Sequence, residues 1–494
     1  MGNGPSNSSS GSSDDDVFSS KAAHGNRIRW VREECEVEEG ATLTQVRALG
    51  APGCCLFHGI EDTLFMKSTR QDLPGLVTVE HEFTVPLDHQ QPNGESIRVF
   101  AREVSTPSAN EMDLPWLLYL QGGPGYPAPR PNSNAGWLAR AMKDFRVLLL
   151  DQRGTGNSTP VTHESLARFT SAQQQADYLQ HFRADSIVAD AEHIRRELQG
   201  EGGRWTLLGQ SFGGFCAIHY LSVAPASLAA VLITGGLPGL DGPIEAVYRR
   251  TYAKMAEKNR SYYARYPRDV EHVREIAGYL TENDVKLPGG ASLTVHRLQS
   301  IGGAHGMSDG FESLHYLLEG AFVEGANGRQ LSYSFLRRVE DSTHYDTNPI
   351  YAILHESIYA QGSASEWCAS RLREEFSEFD EQAAPLFFTA EMIYPWMFSE
   401  SPVLASLAEA AEILASKTDW GQLYDTEVLS KNVVPVAAAV YHDDAYVPVE
   451  LSLATAARIQ NCRTWITNEY EHNGLRVDGS RIVARLLELT RGEV

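Results

Sequence analysis

Residues 207–214 read Leu-Leu-Gly-Gln-Ser-Phe-Gly-Gly, which sets Ser211 in a G-x-S-x-G pattern between an apolar run and a helix-like stretch. A serine hydroxyl becomes a nucleophile when a tight strand-to-helix turn exposes it and a base stands beside it. Gly209 and Gly213 leave room for that turn. The base needs an orienting acid, and in one of the chain orders such triads take, the acid and then the histidine follow the serine, each on a loop after a strand. The next strand-like run after a long interruption, 433–440, leads into Tyr441-His-Asp-Asp-Ala-Tyr-Val-Pro448. It offers Asp443 and Asp444; Asp444, four residues before Pro448, is the preferred acid. The run 464–467 leads into Asn-Glu-Tyr-Glu-His-Asn-Gly474, and His472 is the only histidine after Asp444. The chemistry implied is attack of Ser211 on a carbonyl, with His472 as general base and Asp444 holding its imidazole.

Such attack puts negative charge on oxygen, so backbone N–H donors must be waiting for it. Phe212, directly after the nucleophile, supplies one. The second is expected from Gly123 in Leu120-Gln-Gly-Gly-Pro-Gly125, where glycines allow close approach and Pro124 stiffens the turn. Cys216, one helical turn past Ser211, is expected to pack behind it. His219, His315, His355 and His442 are read as packing or surface residues.

These residues need elements to position them. Residues 77–85 and 97–104 alternate like strands about a Pro/Asn/Gly turn. Near-continuous apolar runs follow at 116–120, 147–150, 205–208, 228–233, 433–440 and 464–467, and helical patterns at 184–199, 212–223 and 479–491. Runs of this kind suit strands buried on both faces, and their alternation with helices predicts an α/β fold with a mostly parallel sheet. The alternation breaks over 241–428, rich in Tyr, Trp, Glu and Ala. That stretch is expected to be a helical cap at the carboxyl ends of the strands, where open α/β sheets bind ligands. The expected organisation is a disordered Ser/Gly-rich tail (1–25), an N-terminal extension of unassigned role (26–75), a first core part (76–240), the cap (241–428) and a second core part (429–494).

A formal charge of −22 over 494 residues argues against nucleic acid or an anionic membrane surface as partner. Six cysteines, with no C-x-x-C pair, make neither a disulfide framework nor a zinc pattern. There is no apolar run of spanning length and no apolar leader at the N-terminus, so a cytoplasmic protein is expected. The start Met1-Gly2-Asn3-Gly4-Pro5-Ser6 formally fits a myristoylation template, but no basic residues follow, and it is read as part of the flexible tail.

Three segments together carry a family resemblance. Gln121-Gly-Gly-Pro-Gly125 resembles the H-G-G-P-G motif of the prolyl aminopeptidases (proline iminopeptidases), Asp151-Gln-Arg-Gly-Thr-Gly-Asn-Ser158 resembles their D-Q-R-G-x-G-x-S loop, and Gly209–Gly214 resembles their nucleophile turn. The resemblance covers roughly 76–494 and departs at Gln121, where the family usually has histidine. It implies an α/β-hydrolase fold, release of N-terminal proline from small peptides through an acyl-enzyme, and no cofactor or metal. It also implies that Asp151 and Arg153 brace the site, and that cap carboxylates hold the substrate's free amine. Glu356 and Glu391, each among apolar and aromatic neighbours, are the candidates, with Glu319 a weaker third. Tyr394, Trp396 and Phe398 are candidate walls for the proline ring. The alternative is an esterase or lactonase using the same triad, which would not need Glu356 and Glu391.

Overall fold

The apolar runs pair edge to edge in the order their burial requires. The computed structural model describes residues 30–37, 41–48, 68–108, 113–326 and 328–494; the expected tail at 1–25 lies outside these. Two units are distinguished, Met1–Phe65 and Met66–Val494. In the first, β1 (Trp30–Val37) and β2 (Ala41–Ala48) pair as an antiparallel hairpin.

The second unit is built on one sheet. Its strands are β3 (Ser68–Leu73), β4 (Leu76–Pro86), β5 (Ser96–Ser105), β6 (Trp116–Leu120), β7 (Arg146–Asp151), β8 (Trp205–Gln210) and β9 (Leu228–Thr234). A small antiparallel hairpin, β10 (Phe322–Gly325) with β11 (Gly328–Leu331), stands apart, and β12 (Val436–Tyr441) and β13 (Cys462–Thr467) complete the sheet. The nine strands run β13-β12-β9-β8-β6-β7-β5-β4-β3. From β13 to β7 every pair is parallel; from β7 to β3 every pair is antiparallel. This is the mostly parallel α/β sheet the sequence predicts.

Both faces of the sheet are covered, which is why the central strands read as continuous apolar runs. Along β6, Leu118 and Leu120 enter one core cluster while Leu117 and Tyr119 enter the other. The first cluster holds the helix Phe212–Val223, buried from Phe212 to Ser222. The second holds Leu138 and Ala141 of the helix Gly136–Ala141 and Ile482, Val483, Leu486 and Leu487 of the helix Gly474–Arg491. Leaving each of these aliphatic side chains in water would cost about 1.5–3 kcal/mol.

Between β9 and β12 the chain is largely helical, with Glu245–Arg265 and Asp269–Glu282 its longest helices. The β10–β11 hairpin is its one strand pair among the described residues. One boundary differs from the sequence reading. The extension placed at 26–75 gives up its end to the sheet, because β3 pairs with β4 along its whole length. Ser-Thr-Arg-Gln-Asp-Leu is an edge strand, exposed over residues 69–73, with no apolar face to alternate. The helix read at 479–491 begins just after Asp478, whose φ of −142° and ψ of 51° break the helical pattern, and a further turn from Gly474 precedes that break.

Candidate active site

Strand register brings the functional loops into one row. Leu120 of β6 lies opposite Gly209 of β8, Gln210 opposite Thr234 of β9, Thr234 opposite Ala439 of β12, and Tyr441 opposite Thr467 of β13. The loops leaving these aligned carboxyl ends carry Gly123, Ser211, Asp444 and His472.

Ser211 has φ +53° and ψ −125°, a conformation that costs an L-residue about 1–3 kcal/mol. The surroundings enforce it. Its N–H donates to Thr234 O at 3.1 Å and its carbonyl accepts from Gly214 N–H at 2.7 Å. A Cβ on Gly213 would run into the Leu120 carbonyl, and one on Gly122 would come within 2.9 Å of Ser211 Cβ. The loop after β6, which carries Gly122 and Gly123, therefore lies against Ser211. Phe212 opens the helix, so its N–H has no intrahelical acceptor.

Gln121 is fixed inside this loop. Tyr119 Oη donates to its side-chain oxygen at 2.8 Å, and Gln152 Nε2 donates to its carbonyl at 3.0 Å. Behind it, Asp151 accepts two hydrogen bonds from Arg130 at 2.7 Å and the N–H groups of Ala128 and Asn157 at 3.1 and 2.8 Å. Arg153 grips Asp190 at 2.6 and 2.7 Å and donates to the carbonyls of Leu87, His181 and Pro86. Both are buried and fully engaged.

Of the two aspartates, Asp444 meets the histidine: its Oδ2 is 2.8 Å from His472 Nδ1. Asp443 pairs at the surface with His442 instead. Asp444 Oδ1 is held by the N–H groups of Tyr446 and Val447 at 2.8 and 3.0 Å. The Tyr446 ring stands edge-on to the imidazole, 4.7 Å between centroids. Burial by itself would lower the His472 pKa, but the charge and hydrogen bond of Asp444, with the charge of Glu391, outweigh it and raise it. No hydrogen bond joins Ser211 Oγ to His472 in this structure; in such sites that contact often forms only with substrate bound.

The cap supplies Glu391 and Glu356. Glu391 Oε1 accepts from Tyr351 Oη at 2.8 Å, its Oε2 lies 4.0 Å from His355 Nε2, and its side chain is 27% exposed. Burial pushes its pKa up, but His355, His472 and the Tyr351 hydroxyl together hold it below the ordinary carboxylate value. Its charge is felt by Tyr126, Tyr345 and Tyr446 as well as by His472. Glu356 sits deeper, and its oxygens accept the N–H groups of Cys368 and Ala369, both at 2.9 Å. Burial raises its pKa against those bonds. The two carboxylates act on the same pair, Tyr248 and Tyr359, but Glu391 is the one whose charge reaches His472.

Three sequence expectations change here. His355 is no mere packing residue: fully buried, it stands between Tyr248 Oη, 3.3 Å from Nδ1, and Glu391. Glu319 ends the helix Gly310–Glu319 exposed on the surface. Tyr394 and Phe398 are cap core, Tyr394 bonding Tyr252 Oη at 2.9 Å and stacking on Trp396. The aromatic groups around Glu391 are instead Tyr126, Tyr345, Tyr351 and Tyr446, with Tyr351 5.5 Å from Tyr126 and 5.0 Å from Tyr345 between centroids. The available signal was local: Tyr126 follows the Gly-Pro-Gly turn, Tyr446 follows Asp444 by two, and Tyr351 precedes His355 by one helical turn. His219, bonded to the Leu423 carbonyl, and His442, exposed, are as expected. So is Cys216, which is fully buried with its thiol pKa pushed up by burial.

Residues 115–271 match the model of the alpha/beta hydrolase fold family. The chain is 52% identical over 421 residues to a proline iminopeptidase of Aeromonas sobria, an alignment covering 85% of this chain and 98% of that protein. The chain belongs to the proline iminopeptidase family. A family member from Aspergillus aculeatus is 37% identical over 426 residues, covering 84% of this chain and 94% of its own. Among the described residues, no helix is long and apolar enough to cross a membrane.

Proposed function

We propose that this family member is a serine exopeptidase that releases N-terminal proline from small peptides. Ser211 Oγ attacks the carbonyl of the first residue as His472 takes its proton. Asp444 holds the imidazole through Nδ1 and stabilises the cation that forms. The N–H groups of Phe212 and Gly123 receive the oxyanion. His472 returns the proton to the leaving amine, and water hydrolyses the acyl-enzyme by the same path in reverse. The free amine of the first residue pairs with Glu391, and Glu356, whose charge acts on Tyr248 and Tyr359 as that of Glu391 does, is the second carboxylate of the proposal. The Tyr126, Tyr351 and Tyr446 rings are the walls proposed for the proline ring. A cytoplasmic setting is part of the proposal, supported by the unpaired Cys216, Cys368 and Cys462.

One observation carries the reading: the cap holds a carboxylate, Glu391, on Tyr351 at 2.8 Å with His355 4.0 Å away, and its charge is among those that raise the His472 pKa. A charge there suits an ammonium one peptide bond from the point of attack. The test is release of a fluorophore from prolyl, alanyl and N-acetyl-prolyl amides, with Ser211→Ala as blank. Turnover of the free prolyl amide without turnover of the acetylated one is expected. Equal turnover of both, or turnover of esters alone, refutes the exopeptidase.

A further inference from the structure

The loop that carries His472 is tied to the cap on both sides of the histidine. His472 N–H donates to Gly306 O at 3.1 Å, and Glu471 N–H donates to Ser308 Oγ at 3.2 Å. Ser308 N–H and Oγ both donate to Asn473 Oδ1 at 3.0 Å, and Asn473 Nδ2 donates to Asp309 Oδ1 at 3.1 Å. Lys258, from the first cap helix, lies 2.7 Å from Glu471. Tyr446, against the imidazole, donates from its hydroxyl to the Gly303 carbonyl. Residues 303–309 thus touch 446, 471, 472 and 473 in turn.

This cap segment is itself anchored. His305 is completely buried among Tyr262, Phe311 and Phe388, and neither ring nitrogen has a hydrogen-bond partner. Burial, with Lys258 second, brings its pKa to about 3, so the ring is neutral and packs as an apolar plug. Asp444 fixes one ring nitrogen of His472, which sets how the imidazole is turned. It does not fix where the backbone of residue 472 stands. That position is set by the clamp, in which Ser308 bridges Glu471 and Asn473 around the histidine.

We propose that Ser308 and Asn473 are positioning residues that seat His472 by fastening its loop to the cap, so that the base is aligned only while the cap is docked. The proposal rests on His472 being the base of the reaction above. Ser308 is exposed, so losing its hydroxyl opens no cavity.

The experiment compares Ser308→Ala, Ser308→Thr, Asn473→Ala and the double alanine variant. It reads kcat and KM on a prolyl amide, the rate constant for labelling of Ser211 by a fluorophosphonate, and the thermal midpoint. Displacement of a catalytic group by about 1 Å is worth up to about 100-fold in rate. Ser308→Ala is therefore expected to lower kcat and labelling together by about 10-fold or more, with KM and the thermal midpoint little changed. Ser308→Thr, which keeps the hydroxyl, should restore most of both rates. The double variant should be no slower than the slower single one, as members of one clamp are not additive. Wild-type rates in Ser308→Ala, a rise in KM alone, or no rescue by threonine would overturn the proposal. Labelling needs the base but no proline, so a wild-type chain that labels yet leaves prolyl amides intact sinks the exopeptidase reading while this test still stands.

Discussion

Replacing Glu391 by glutamine removes one negative charge and almost nothing else. The amide oxygen can still accept from Tyr351 at the 2.8 Å position, and the new NH2 takes the place of the oxygen that lies 4.0 Å from His355 Nε2. An ammonium and a carboxylate about 4 Å apart at an effective permittivity of about 20 attract by about 4 kcal/mol. The glutamine oxygen retains part of this, leaving a loss of about 2–4 kcal/mol, or about 30- to 1000-fold in kcat/KM for a prolyl amide. A second readout follows from His472. Glu391 is one of the groups raising its pKa, so the variant's imidazole loses its proton at lower pH. The base works in its neutral form, and the acid limb of kcat/KM should move to lower pH. An acetate ester has no amine to lose, so its turnover at neutral pH should change little. The assay is kcat/KM against pH for both substrates. An equal fall on amide and ester, or an acid limb shifted upward, would refute the reasoning.

Other perturbations separate chemistry from scaffold. In Asp444→Asn the carbonyl must stay with the N–H groups of Tyr446 and Val447, which turns the NH2 toward His472 Nδ1 and enforces the wrong tautomer. Activity should fall about 10³- to 10⁴-fold with the thermal midpoint preserved, read by kcat and a melting curve. Glu356→Gln sets an NH2 against the N–H of Cys368 or Ala369, and should lower stability by about 1–3 kcal/mol in denaturant unfolding. Arg153→Met leaves Asp190 buried with His89 as its remaining partner, and should destabilise by about 3–5 kcal/mol while kcat per folded molecule holds.

The sheet was legible because its chemistry is written in short range. Strands buried on both faces need unbroken apolar runs, so each strand, and the Gly-rich loop that leaves it, shows in its own short segment even though β6 and β8 pair across some ninety positions. β3 was invisible for the opposite reason: an exposed edge strand selects no apolar face. The cap resisted reading because its contacts join distant residues. Tyr351 reaches Glu391 forty positions away, and Ser308 reaches Asn473 across 165. Glu356 and Glu391 looked alike in sequence, each acidic among aromatics. The backbone N–H groups that engage Glu356, and the imidazole that feels Glu391, tell them apart only in three dimensions. Tyr394 and Phe398 looked like pocket walls because aromatic clusters carry the same signature whether they line a cavity or fill a core.

The proposed preference for a free N-terminus needs no steric gate. Glu391 is held ionised by His355, His472 and Tyr351 in an aromatic surround. A peptide with a free amine brings that carboxylate a cation as it displaces water. A peptide with an acetylated amine displaces the same water and brings none. A carboxylate that loses water and gains no cation keeps only the Tyr351 hydrogen bond and the more distant His355, so part of the discrimination arises from what the blocked substrate fails to supply. By the same argument, Glu391→Gln should narrow the gap between free and acetylated substrates from both sides. The free amide loses its ion pair, and the acetylated one no longer strands a charge. A variant that slowed both in proportion would place the discrimination elsewhere in the cap.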